Sequence, residues 1–291
     1  MQTKLSTKNN RQTRLRELLR AWRQARGMSL FQLALEAGIS ARHMSFAENG
    51  RSEPSRDLVI RLGGALALSL RERNALLVAA GYAPVYRETA LAADAMAPVR
   101  RAMEFILGQQ EPFPAFVVDR RWDVLAANRG LERLFDWMRD GAVPHANIMR
   151  QVFDPQDMRP FIANWPEVAT ELLRHLRHDA AASPLDAGLR SLLDEVLAYP
   201  PVPGEWREAM PDADASALMT VVFRKGDTEL GFFSTIMTFA TPRDVVADEL
   251  RIECMFPLDP QTDAFCRALA AAEANNERSE RASTIRPTTP A

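Results

Sequence analysis

The chain has 291 residues, 47% hydrophobic and 25% charged, which suits two ordinary globular domains that each bury a core. No apolar run approaches the roughly 18 residues that span a bilayer, so no membrane insertion is expected. The first residues, MQTKLSTKNNRQTR, do not read as a signal peptide, because no apolar segment follows the charges. Cys254 and Cys266 are the only cysteines, which excludes a disulfide framework and a zinc ribbon and points to a reducing cytoplasm. The net charge of −2 hides an asymmetry: residues 1–90 hold 15 Lys/Arg against 7 Asp/Glu, and the remainder 21 against 31. A basic half can neutralise phosphates; an acidic half cannot.

Residues 1–12 are polar and basic without periodicity and read as a flexible basic arm. Leu15, Leu18, Leu19, Trp22 and Ala25 then recur at helical spacing until Gly27. Ser29 and Gln32 have capping-box spacing and open a second helix. Gly38 and Ile39 form a turn, Ser40 caps a third helix to about Asn49, and Gly50 ends it. Ser55 opens a fourth helix, and Ser69 with Glu72 opens a fifth that stops at Gly81, before Pro84. Residues 84–100 are a connector with some helical character, with the boundary near Pro98. Strands are expected over Ala115–Val118 and Asp123–Ala127. Asn128 then caps a helix carrying Leu131, Leu134, Phe135 and Met138 on one face. Helices follow at about 166–178 and 186–198, with Asn164 and Glu167 as a capping pair for the first. Strands return at Ala217–Arg224, Leu230–Phe239 and Leu250–Phe256; the last alternates Ile252, Cys254 and Phe256 against Arg251, Glu253 and Met255. Residues 268–291 are rich in Ala, Glu, Ser, Thr and Pro and read as a disordered tail.

Function is most legible between Ser29 and Gly50, SLFQLALEAGISARHMSFAENG. Two helices that cross closely need a small residue, Ala34. The tight turn needs a positive φ, supplied by Gly38, and an apolar plug, Ile39. The second helix needs an inward apolar residue, Met44. These spacings, within five helices, specify a helix-turn-helix headpiece over residues 13–83.

That segment resembles the XRE-type helix-turn-helix family of phage and bacterial repressors. Arg23 and Glu48 stand where that family often has a buried structural ion pair, and a carboxylate in the last turn of a helix needs such a cation. The resemblance implies that the start of the third helix faces base edges of double-stranded DNA. Ala41, Arg42, His43, Ser45 and Phe46 are the candidate readers, Arg42 toward guanine and Ala41 and Phe46 toward thymine methyl groups. Ser29, Gln32, Ser40 and Arg51 are candidate backbone contacts. The alternatives are that Arg42 binds only phosphate, His43 packs at the core edge, and Phe46 packs on the fourth helix.

The string PAFVVDRRWDVLAANRGLERLF resembles the opening of a PAS-like domain. Together with RHMSFAENGRSEPS, RERNALLVAAGYAP, Asn164-Trp165 and LRIECMFPLD, it is similar to the MmyB-like transcription regulators over about 13–263. One departure stands out: Arg224-Lys225-Gly226 occupies the place where that family tends to carry Arg-His-Pro, so any role of that His has no counterpart here. The resemblance implies an α+β PAS-like domain with an antiparallel sheet over 101–267 that binds a small apolar ligand, a fatty acid or similar. Phe116, Trp122, Phe135, Phe153, Phe161, Trp165, Phe233, Met237 and Phe239 are the candidate ligand residues, and each can equally be ordinary core.

No catalytic constellation accompanies these features. His175 and His178 stand among Arg174, Arg177 and Asp179 on a solvated face, His43 and His145 have no partner at catalytic spacing, and neither a metal nor a required cofactor is expected. The expected architecture is an all-α headpiece followed by an α+β domain. The expected function is transcriptional regulation by a homodimer, either sensing an apolar ligand or, alternatively, using the second domain only to dimerise or bind a protein partner.

Overall fold

The computed structural model describes residues 2–139, 145–184, 186–200, 202–207 and 218–284. Two compact units emerge, and neither is one continuous stretch of chain. One combines the residues up to Ala97 with His175–Leu193 and Phe239–Glu249; the other holds Pro98–Arg174, Asp194–Thr238 and the residues from Leu250 onward. By packing, His175–Leu193 and Phe239–Glu249 of the expected 101–267 domain group with the first unit.

The first unit contains five helices, α1 (Gln2–Ala25), α2 (Leu30–Glu36), α3 (Ala41–Glu48), α4 (Arg56–Ala65) and α5 (Leu70–Ala79). Ser29, Ser40, Ser55 and Ser69 cap α2 to α5, each accepting a backbone N–H three residues on. Ser29 with Gln32 and Ser69 with Glu72 form complete capping boxes. Gly27, Gly38, Gly50 and Gly81 have positive φ where α1, α2, α3 and α5 end. The core gathers Leu15, Leu18, Leu19, Trp22, Leu33, Met44, Leu62 and Leu76 around Ala34. One expectation fails here: residues 2–12 extend α1 rather than forming an arm. No Gly or Pro interrupts the sequence before Gly27, so a helix nucleated by the apolar stripe propagates backward through polar residues.

The later segments add acidic side chains to this unit. α11 (Val245–Glu249) presents Asp248, whose Oδ2 accepts the Leu70 N–H at 2.9 Å, one of the orphan donors at the start of α5. Glu249 takes Arg71 in a fork, Nε–Oε1 2.6 Å and Nη2–Oε2 3.0 Å, and Glu88 meets the same guanidinium at 2.7 Å. Asp244 accepts the Thr89 N–H at 3.1 Å.

The second unit begins with α6 (Ala97–Gln109), which runs on from the connector, read as partly helical, into residues 101–109, where no helix was expected. Five strands, β1 (Ala115–Val118), β2 (Val124–Ala127), β3 (Thr220–Lys225), β4 (Thr228–Met237) and β5 (Arg251–Pro257), pair antiparallel in the order β2-β1-β5-β4-β3. The fold is the expected α+β one. Arg224-Lys225-Gly226 closes β3 into a tight hairpin, with Gly226 at φ 58° and Lys225 paired to Thr228. The helices α7 (Arg129–Met138), α8 (Ile148–Phe153), α9 (Trp165–Ala182) and α10 (Ala187–Val196) lie between β2 and β3 in the chain. Asn128 caps α7 as expected, whereas the Asn164 side chain, just before α9, pairs with β3. Its amide donates to Thr220 O and accepts from Val222 N, both at 2.9 Å, closing the open edge of β3. The tail expected after residue 267 is instead α12 (Pro260–Thr284), since Ala- and Glu-rich sequence without Gly or Pro favours helix. Residues 285–291 and the expected strand start at Ala217 lie outside the described residues.

Arg23 Nε lies 2.6 Å and Nη2 3.2 Å from the Glu48 carboxylate, with both side chains largely buried. Glu48→Ala is expected to destabilise the headpiece by about 3 kcal/mol by stranding Arg23, and replacing both residues with apolar ones of similar volume should cost less. Urea unfolding of the two single variants and the double variant checks this; strict additivity would show that the pair does not couple.

Candidate DNA-reading helix and ligand cavity

The turn between α2 and α3 presents the first turn of α3 to solvent. Ser40 Oγ accepts the His43 N–H at 3.2 Å, and Arg42 and His43 are exposed. Ala41, Ser45 and Phe46 are half-buried, while Met44, Ala47 and Glu48 face the core. The Arg42 guanidinium lies 5.3 Å from the centre of the Phe46 ring, one helical turn away, so an apolar body steadies the charge at this surface. Ser45 Oγ accepts from Asn49 Nδ2 at 3.2 Å. Ser29, Gln32, Ser40 and Arg51 are exposed at the ends of α2 and α3. The nine candidate residues thus lie on two adjacent helices and their flanks, with Arg42 the exposed cation in the first turn of α3.

In the second unit a cavity opens between the sheet and the helices, with about 570 Å³ of space between its wall atoms, mouth included. The sheet supplies Phe116 from β1, Val221 and Phe223 from β3, and Glu253 and Met255 from β5. The opposite wall is Leu131 and Phe135 of α7, Ile148 and Val152 of α8, and Val168 and Leu172 of α9. Met158, Ile162 and Met219 complete it. Thirteen of these fourteen residues are apolar, and Glu253 is the exception. Two chemical features follow: the walls favour an apolar occupant, and the three methionines can change rotamer to admit it.

Of the nine candidate ligand residues only Phe116 and Phe135 are in these walls. Phe153 is fully buried with its ring edge against Trp165, and Trp165 stacks on Trp206 and donates its Nε1–H to Val152 O at 2.8 Å. Trp122 is core, with Arg251 5.3 Å from its ring centre. Phe161 is half-buried beside Ile162, which takes the wall position. Phe233 stacks on Phe256 at 5.4 Å, on the sheet face opposite Glu253 and Met255, Met237 is partly exposed, and Phe239 belongs to the headpiece unit.

Several titratable groups elsewhere have structural partners. His145 does acquire one that spacing did not suggest, Asp154 Oδ2 at 2.7 Å. Cys254 and Cys266 are buried; burial pushes the Cys266 thiol up to about 11, the reverse of what a nucleophile needs. His175 and His178 are exposed, and among the described residues no three His, Cys, Asp or Glu side chains are grouped to hold a metal ion. No helix of the described chain is long and apolar enough to cross a membrane.

Residues 14–76 match a helix-turn-helix domain, and residues 99–269 match the ligand-binding domain of MmyB-like transcription regulators. The chain belongs to the MmyB-like transcription regulators. No curated protein is significantly similar to it. For this MmyB-like regulator the two matched regions contain, respectively, the exposed turn of α3 and every residue of the cavity wall.

Glu253 is the cavity residue that sequence reasoning placed on the polar side of β5. Alternation makes Ile252 and Cys254 the inward set, and both are indeed 2% exposed, but Glu253 and Met255 on the other face are covered too. The available signal was Met255, an apolar residue on the face otherwise read as solvated. Glu253 keeps some accessible surface, yet that surface opens on the cavity, and the surrounding protein strips its carboxyl of bulk solvent. Burial raises its pKa above the ordinary 4.5, opposed by a hydrogen bond from Ser234. The folded protein therefore holds a proton that the unfolded chain releases. The stability this contributes is full below about pH 4.5 and is lost as pH rises through the folded-state value. In the MmyB-like regulator, Glu253→Gln should flatten the decline in unfolding free energy above about pH 4.5 relative to the parent. Parallel stability–pH curves for the two proteins would show that Glu253 titrates normally.

Proposed function

We propose that this regulator binds double-stranded DNA sequence-specifically as a homodimer and changes its operator affinity when an apolar small molecule occupies the cavity of the second unit. The observation that carries the reading is the pairing, in one chain, of an exposed helix start bearing Arg42 with a cavity whose walls are apolar in thirteen of fourteen positions. One headpiece spans a half-site, so two copies are expected on an inverted repeat with centres about 34 Å or a multiple apart. The chemistry is recognition alone, in the cytoplasm, with no catalytic step. The ligand implied by the family resemblance is a fatty acid or a similar chain, and burying such a chain gains about 0.8 kcal/mol per methylene. Occupancy switches the protein only if the ligand prefers one arrangement of the two headpieces.

On an operator recovered by selection from random DNA, Arg42→Ala should cost about 1–3 kcal/mol and relax preference at one position of each half-site. A uniform loss across all sequences would make Arg42 a phosphate contact, and sedimentation as a one-to-one complex would remove the dimer. For the sensory role, purified protein is denatured, its organic extract weighed by mass spectrometry, and long-chain acids titrated during operator binding. Recovery of a chain, or a shift in operator affinity, is the expected result. If no chain is recovered and none alters DNA affinity or melting temperature, the second unit serves dimerisation alone.

A further inference from the structure

The cavity wall has one polar side chain, a carboxyl, and no cation answers it there. Glu253 lies in the central strand of the sheet, paired across to Phe116 on one side and Ile236 on the other. From β4 the Ser234 hydroxyl donates a hydrogen bond to it. Helices α7, α8 and α9 face the cavity with Leu, Phe, Ile and Val side chains, and among the described residues no Lys, Arg or His is in the lining. Arg251, on the same face of β5, is turned to the Trp122 ring, 5.3 Å away, and is not part of the wall. Cys254 is on the opposite face of the strand. A charge held among apolar walls with a hydroxyl as its neighbour is costly, so the carboxyl keeps its proton. Ser234 occupies an oxygen, and the O–H is left to donate into a low-dielectric space. The acceptor that gains most from such a donor is an ionised carboxylate, through a short charge-assisted hydrogen bond. Two carboxyl groups at that range hold a proton between them, because both cannot be ionised there.

We infer that Glu253 anchors the head of the occupant through a shared proton, so that an apolar chain ending in a carboxylate binds together with a proton and its hold on the regulator weakens as pH rises. The inference rests on the reading of this cavity as a ligand site and adds a proton linkage to it. Glu253 holds the head while Phe116, Phe135, Val152 and Leu172 take the chain. The sign follows from where the proton comes from. Below the pH at which free Glu253 ionises, the protein itself supplies it and affinity is level. Above that pH the solvent must supply it, and each further pH unit costs up to about tenfold in affinity.

The test uses the full chain and two probes of equal length, decanoate and decanol, each below its solubility or micellar limit. Binding is followed by calorimetry from about pH 6 to about pH 9.5, where decanoate is ionised throughout. Each pH is run in two buffers of different ionisation enthalpy, which counts the protons taken up. Decanoate affinity should fall at least about tenfold across this range, with proton uptake at its upper end, while decanol changes by less than about threefold. Glu253→Gln keeps a donor and the side-chain volume, so it should bind decanoate with no pH slope and no proton uptake. Glu253→Leu removes the donor and should cost decanoate about tenfold more than it costs decanol, the difference between a charge-assisted and a neutral hydrogen bond. A level decanoate profile without proton uptake, an equal slope in Glu253→Gln, or binding of decanol without decanoate overturns the shared proton and leaves the cavity reading standing. If neither probe binds the parent protein at any pH, the cavity reading itself fails. Should Glu253→Leu not fold, the parent and the Gln variant decide between these outcomes.

Discussion

One buried amide organises the second unit. Asn128 Oδ1 accepts the N–H groups of Leu131 and Ala115, and its Nδ2 donates to the carbonyls of Phe113 and Leu107. Four backbone groups at the end of α6, the start of β1 and the first turn of α7 are thereby satisfied by a side chain that is itself 6% exposed. No apolar residue could replace it without leaving donors and acceptors buried and unmet. Its consequence is positional: β1 brings Phe116 and α7 brings Leu131 and Phe135 to the cavity, and Asn128 fixes the start of both. Gly130 follows for a steric reason, because a Cβ there would lie 2.5 Å from Phe113 O.

The headpiece relies on a comparable internal answer to charge. Glu48 sits in the last turn of α3, at the negative end of the helix dipole, and is tolerated because Arg23 reaches it from α1 while also donating to Met28 O at 2.9 Å. α3 therefore has its position set by buried polar geometry at its end and by Met44 and Ala47 along its inner face. Its outer face is left to carry Arg42.

What could be read from the sequence was what local chemistry decides. Serine caps, positive-φ glycines and the Ala34 crossing each act within a few residues, so α2 to α5 and the outward set of α3 were visible before any coordinates. The strands β1 and β2, with Asn128 after them, were visible for the same reason. Coverage by distant chain was not visible. Glu253 looked solvated because nothing in β5 tells that its second face is covered as well, and the side-chain partners of Asn164, Thr220 and Val222, were not foreseen because they are more than fifty residues away. The aromatic inventory was a poor guide to the cavity. Large rings such as Phe153, Trp165 and Trp206 pack against one another, and the walls are finished by Leu, Ile, Val and Met. Polar ends of α1 and α12 were underestimated because helices extend wherever no breaker stops them.

The division of the chain also bears on how such a protein can be recombined. Residues 1–83 look like a cassette in sequence, but α5 is completed by Asp248 and Glu249, which arrive after four of the five strands have been made. A headpiece grafted at the 84–100 connector onto a foreign sensor would leave the Leu70 N–H without its carboxylate and Arg71 with Glu88 as its remaining acidic partner. Exchange between regulators of this build should therefore keep Asp248 and Glu249, in the segment between β4 and β5, with the α5 they complete.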